Sequence, residues 1–133
     1  MKSESFQAIL ENELAQIYEN GQFSALSLSD ESGLVLATVG DHELANIASA
    51  ISSLSLAYKK TVQEQLHFQN IDEVSTVGDD KHRFVNRFIS VEESNYILSA
   101  IVAPQQSYRR LTNTAVQRIK RILSTKSSKQ EGE

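Results

Sequence analysis

Three kinds of side chain in this sequence have the types and spacing to do chemistry: clustered serines, three histidines and paired turn carboxylates. Nucleophilic catalysis needs a hydroxyl or thiol beside a base, often on a strained turn. Serines abound, yet no G-x-S-x-G occurs, and the nearest stretch, "SDESG" at 29–33, reads as a hairpin turn. His42, His67 and His82 lack the close helical spacing of a zinc site. His42 falls at a helix entry and His67 at a helix exit. Asp79 and Asp80, with His82 two residues on, offer oxygens to a loose cation site, but a tight turn favours Asp for its own backbone bonding. Glu92 and Glu93 are turn carboxylates of the same kind. No G-x-x-x-x-G-K-[ST] is present to cradle phosphates. These patterns predict no catalytic residue, no metal and no cofactor, and hence a protein that is not an enzyme.

The cations are unevenly spread. Residues 1–106 hold 15 acids against 6 Lys/Arg, and residues 107–133 hold 7 Lys/Arg against 2 acids, for a net charge of −4. Arg109, Arg110, Arg118, Lys120 and Arg121, with Lys126 and Lys129 beyond, form the basic end. Nucleic-acid binding is not expected, because the domain is acidic and no aromatic row lies between the cations to stack bases. An acidic protein or a membrane surface is one reading of this end, and a solvated helix face is the plainer one. Arg83 and Arg87 share one face of a strand, where solvation is again the plainer role and a partner's acid or phosphate the sharper one.

The elements that must position these residues follow from periodicity. With 133 residues, 40% of them apolar, the chain forms one domain over 3–124, with 125–133 a polar flexible tail. The absence of cysteine and of a signal-like start, with Glu4, Glu11 and Glu13 near the N-terminus, points to a cytoplasmic home. No run approaches the roughly 18 apolar residues of a membrane span. Phe6, Ile9, Leu10, Leu14, Ile17 and Tyr18 recur at helical spacing over 6–19, with Ser5 or Ser3 as cap. Two β runs, 23–29 and 34–39, flank a turn in which Gly33 takes positive φ. A helix over about 43–66, capped by Asp41, precedes β runs at about 72–78, 82–91 and 96–103. "GDDK" and "EESN" make the turns, and Pro104 closes the last run. A helix over about 108–123 ends the order α-β-β-α-β-β-β-α. This is an α+β chain with one antiparallel sheet between helices. "YILSAIVA" (96–103) is apolar on both faces and central; "DEVSTVG" (72–78) is the most polar run and belongs at an edge.

The helix "ELANIASAISSLSLAYKK" (43–60) is unusual because it shows no charged face between Leu44 and Tyr58. Leu44, Ile47, Ala48, Ile51, Leu54, Tyr58, Val62 and Leu66 form one stripe, predicted to face the sheet. Ala45, Ser49, Ser52 and Leu56 then cluster on a flank about 100–160° away. Small side chains let another backbone approach, so the flank is predicted to meet a second copy, since two-fold dimers are the commonest oligomers. Val74 and Thr76 on the edge run suit cross-strand pairing with that copy. Lys59, Lys60 and Gln63 are candidates for a further partner surface.

The element order, "FSALSLSDESGLVLATVG" leading into a small-residue helix, and "YILSAIVA" before a C-terminal helix together resemble the Roadblock family over about residues 5–123. That family takes in dynein light chains of the Roadblock type and bacterial regulators of Ras-like GTPases. The resemblance implies a profilin-like five-stranded sheet of order 2-1-5-4-3, with the central helix on one face and the terminal helices on the other. It implies a homodimer joined through the strand after the central helix, with the two central helices side by side. It further implies a non-enzymatic regulator or scaffold that binds a small Ras-like GTPase across those helices; some bacterial members of the family stimulate hydrolysis without donating an arginine finger. A sensory or ligand-binding module with no GTPase partner is the alternative that a helix-covered antiparallel sheet leaves open.

Overall fold

A computed structural model describes residues 5–131, with the side chains of residues 5–125. The alternative cap Ser3 and the side chains of Lys126 and Lys129 lie outside the described residues. The elements are α1 (Phe6–Asn20), β1 (Phe23–Asp30), β2 (Val35–Gly40), α2 (His42–Leu66), β3 (Glu73–Val77), β4 (Arg83–Val91), β5 (Ser94–Val102) and α3 (Arg109–Glu131). The strands form one antiparallel sheet in the order β2-β1-β5-β4-β3.

Local chemistry explains the element starts and turns. Ser5 accepts from the Ala8 amide and Asp41 from the Leu44 amide, each supplying one of the acceptors that a helix start lacks. In the β1–β2 turn, Asp30 Oδ1 accepts from the Ser32 and Leu34 amides at 2.9 and 3.0 Å, and Gly33 reverses the chain at φ +94°. Gly40 sits at φ +88°, where a Cβ would stand 2.7 Å from the Ser24 carbonyl oxygen, so only glycine fits between strand and helix.

Two boundaries differ from the sequence expectation. The β4–β5 link is tighter than four residues: only Glu92 and Glu93 lie between the strands, and Glu92 takes φ +56°. Helix α3 runs on to Glu131, past Leu123, because no glycine or proline interrupts 105–131 and Lys, Gln and Glu favour helix.

The strands alternate large and small residues, and this sorts the two sides of the sheet. Leu26, Leu28, Val85, Ile89, Leu98 and Val102 pack against Leu10, Leu14 and Ile17 of α1 and Ala115, Ile119 and Leu123 of α3. Each large apolar side chain fully buried there contributes roughly 1.5–3 kcal/mol. The opposite face of the same strands presents Ser27, Ser29 and Ser99, all fully buried, and α2 lies over it. As expected, β5 is central and buried on both faces, and β3 is an edge. No helix among the described residues is long and apolar enough to cross a membrane.

Candidate functional site

Helix α2 is where sequence and structure part. Of the stripe predicted to face the sheet, only Ala48 is buried. Ile47, Ile51, Leu54, Tyr58 and Leu66 are 42–67% exposed. The helix is turned about a quarter of a revolution from the expected setting. Ala45, Ser49, Ser52 and Leu56, predicted to meet a second copy, are instead 0–5% exposed against the chain's own sheet. Their assignment to a partner is therefore corrected: they form the inner face of α2.

The physical reason is the serine-lined side of the sheet. Where the sheet presents Ser27, Ser29 and Ser99 the layer is shallow and accepts the small Ala45, Ser49 and Ser52, and Leu56 is the one large side chain of α2 buried against it. The hydroxyls are mostly accommodated by local bonds. Ser52 Oγ donates to the Ser49 carbonyl at 2.7 Å, so its one proton is used and Ser29 Oγ donates to it across the layer at 3.0 Å. Ser55 Oγ donates to the Ser52 carbonyl, and Ser99 Oγ to Asn86 Oδ1. The buried hydroxyls of Ser27 and Ser49 have no hydrogen-bond partner among the described residues.

The consequence is an apolar surface on the outside. Helix α2 covers chiefly β1, β2 and β5, so the α2-side residues of β4 and β3 flank an open groove. Leu44, Ile47 and Ile51 wall this groove of about 260 Å³, and Thr76, Phe84 and Ile101 lie across from them. Farther along α2, Tyr58, Val62, Leu66 and Phe68 line a second recess with Ile71 and Val74, of about 400 Å³. Val74 pairs with Asn86 and Thr76 with Phe84, while the other edge of β3 has no strand. Stripe, groove and open edge make one continuous surface of the kind that marks an interaction site.

The edge strand is held by a polar clamp from the other side of the sheet. Arg87, 3% exposed, donates to Thr112 Oγ1 and Asn113 Oδ1 at 2.7 Å each and to Asp72 Oδ1 at 3.1 Å. Arg109 pairs with Asp72 at 2.8 Å and Glu73 at 2.6 Å, and Tyr108 donates to Glu73 Oε2 at 2.6 Å. Arg109 and then Arg87 hold the Asp72 carboxyl below the usual range. Burial alone would raise Glu73, but the Tyr108 hydroxyl and Arg109 outweigh it and keep that carboxyl low as well. Arg87 thus departs from the expected solvated or partner-facing role. Arg83 remains half-buried, its guanidinium 5.8 Å from the Tyr108 ring centre.

Of the three residues assigned to a further partner surface, Lys60 is exposed. Lys59 lies 4.7 Å over the Phe88 ring, and burial, then the neighbouring Lys60, lowers its pKa. Gln63 donates to the Gln69 carbonyl and ties the loop after α2. Asp80 and His82 bond to each other within the β3–β4 turn, as the turn reading expects. No group of three or more His, Asp or Glu side chains among the described residues is placed to hold a metal ion. The exposed Ile47, Ile51, Leu54 and Tyr58 are the residues sequence reasoning misplaced. The signal was present in "FSALSLSD", whose Leu26 and Leu28 alternate with Ser27 and Ser29.

No protein-family model matches this chain, and no curated protein sequence does. Solved structures do. Myxococcus xanthus MglB is similar at a TM-score of 0.66 and 12% identity, covering 97% of this chain and 94% of that one. The Roadblock/LC7 domain from Streptomyces avermitilis gives 0.67 at 14% identity, covering 85% and 96%. A structure described as MglB with a tetrameric arrangement gives 0.72 at 14%, covering 92% and 93%. Likeness at such identities is likeness of fold, and strand order, helix placement and near-complete coverage all agree: this chain has the Roadblock/LC7 fold.

Proposed function

We propose that the chain is a non-enzymatic, cytoplasmic regulator or scaffold of a small Ras-like GTPase, acting as a homodimer whose α2 helices lie side by side. The observation that carries this reading is the exposed apolar stripe of α2 beside the open edge of β3. A second copy related by a two-fold axis covers both at once: its α2 settles into the groove, and its β3 pairs with Val74 and Thr76. Ile47, Ile51, Leu54 and Tyr58 are already about half covered, so burying the rest contributes roughly 1–2 kcal/mol for each side chain. Self-assembly of a protein with this fold, the MglB of tetrameric arrangement, supports the dimer. The sequence resemblance to Roadblock regulators and the shared fold support the GTPase as partner. In that assembly the exposed Lys60 lies at the rim of the helix pair, where a GTPase docks.

The test is interferometry between the immobilised protein and a panel of purified small Ras-like GTPases, loaded with GDP or a non-hydrolysable GTP analogue. The expected result is saturable binding that favours one nucleotide state. Absence of binding by the whole panel in both states, with the dimer intact, overturns the GTPase reading.

A further inference from the structure

On the side of the sheet away from α2, between the β3–β4 turn and the start of α3, lies an open cleft of about 680 Å³. Val77, Val102 and Tyr108 give it an apolar floor, and Lys81, Arg83 and Arg110 stand among its lining residues. Its side follows from the register: Val77 pairs with Arg83 and Arg83 with Val102, which belongs to the core under α1 and α3. No carboxylate lines the cleft. Arg109, also on its wall, is neutralised by Asp72 and Glu73, but Lys81, Arg83 and Arg110 have no ion pair among the described residues. In a chain of net charge −4, three unpaired cations around one carboxylate-free cleft create a local positive potential that attracts an anion. The Tyr108 ring beneath Arg83 steadies that guanidinium while its planar fork of donors suits a carboxylate.

We propose that this cleft binds an acidic, partly apolar peptide segment of a partner protein. The floor favours a peptide over a free phosphate or a nucleic acid. Val77 is 50% exposed there, and covering it is favourable only for a ligand that carries aliphatic groups. Tyr108 is the one aromatic ring lining the cleft, and Arg83 already lies over it, so no platform remains for stacking bases. The cleft and the α2 surface lie on opposite sides of the sheet, and Lys81, Arg83 and Arg110 sit on the β3–β4 turn, β4 and α3, off the β3 edge, so the charged groups that hold the peptide stay in place without the dimer.

Fluorescence anisotropy with a fluorescein-labelled decapeptide of alternating glutamate and leucine tests this. The wild-type protein binds it saturably. Lys81→Glu combined with Arg110→Glu weakens binding by about tenfold or more, whereas Lys120→Glu with Arg121→Glu, the same change in net charge on exposed α3 positions, changes it by less than about twofold. The single variant Arg110→Gln weakens it by an intermediate factor, and Ile51→Arg leaves it unchanged, so this proposal and the dimer fail separately. Absence of saturable binding, equal loss in both double variants, or displacement of the peptide by inorganic phosphate or duplex DNA at lower concentration would overturn the proposal.

Discussion

Arg87 is a strand residue whose role depends on partners far away in sequence: Asp72 fifteen positions before it, and Thr112 and Asn113 on α3. The period of the strand gives its side correctly, but nothing local announces that α3 brings acceptors to it. A buried guanidinium is costly unless its donors are matched, and here all the matching groups come from elements it joins. Arg87→Ala is expected to lower stability by about 2–3 kcal/mol in urea denaturation, since charged hydrogen bonds are lost and their acceptors are left unpaired. Arg87→Lys recovers only part of this, because an ammonium cannot reproduce the fork. The neighbouring carboxylates give a pH dependence. Asp72 and Glu73 both have lowered pKa values in the folded chain, so their contribution is fully present above roughly pH 4.5 and is lost as pH falls through the folded values. Removing their shared partner with Arg109→Gln should make the urea midpoint fall less between pH 6 and pH 3 than it does in the wild type. An equal fall in both proteins would show that the clamp contributes nothing.

At the scale of the element, every helix and strand was legible in spacing, caps and turns, and the polar run over 73–77 was legible as an edge. The setting of α2 was not. Hydrophobic periodicity says that a helix has two faces, and the usual rule puts the more apolar face inward. That rule assumes that the interior is wide enough for large side chains. Here Ser27, Ser29 and Ser99 make it shallow, and Ala45, Ser49 and Ser52 are the side chains that match it. The face of the helix was set by the face of the sheet, a comparison between segments that no single window contains. Two substitutions separate the faces. Ser52→Leu is expected to cost about 1–3 kcal/mol by overpacking the serine layer, visible as a lowered thermal midpoint. Leu56→Arg, which places a charge in a site 5% exposed, should abolish cooperative unfolding, whereas Leu54→Arg, at a site 67% exposed, should leave the fold intact by circular dichroism.

At the scale of the whole molecule, the two sides of the sheet are built on different physics. Against α1 and α3 the chain packs leucine, isoleucine and valine into a core of its own. Against α2 it packs mainly alanine and serine, with Leu56 and Ile97, and leaves Ile47, Ile51, Leu54 and Tyr58 outside, next to an unpaired strand. The first side stabilises the monomer; the second is the surface that the proposed dimer would cover. Composition, length and element order made the fold readable, because each depends on residues near one another in the chain. For assembly the sequence predicts a second copy on the flank of Ala45, Ser49, Ser52 and Leu56; the chain's own sheet buries that flank, and the surface proposed for the second copy emerges only once α2 is seen on the sheet. Sedimentation equilibrium of the wild type beside Ile51→Arg tests the proposed dimer most directly. The expected result is a wild-type mass of twice the 14.8 kDa chain and a single-chain mass for the folded variant. A wild type that sediments as one chain at every concentration, or a variant that remains paired, would contradict it.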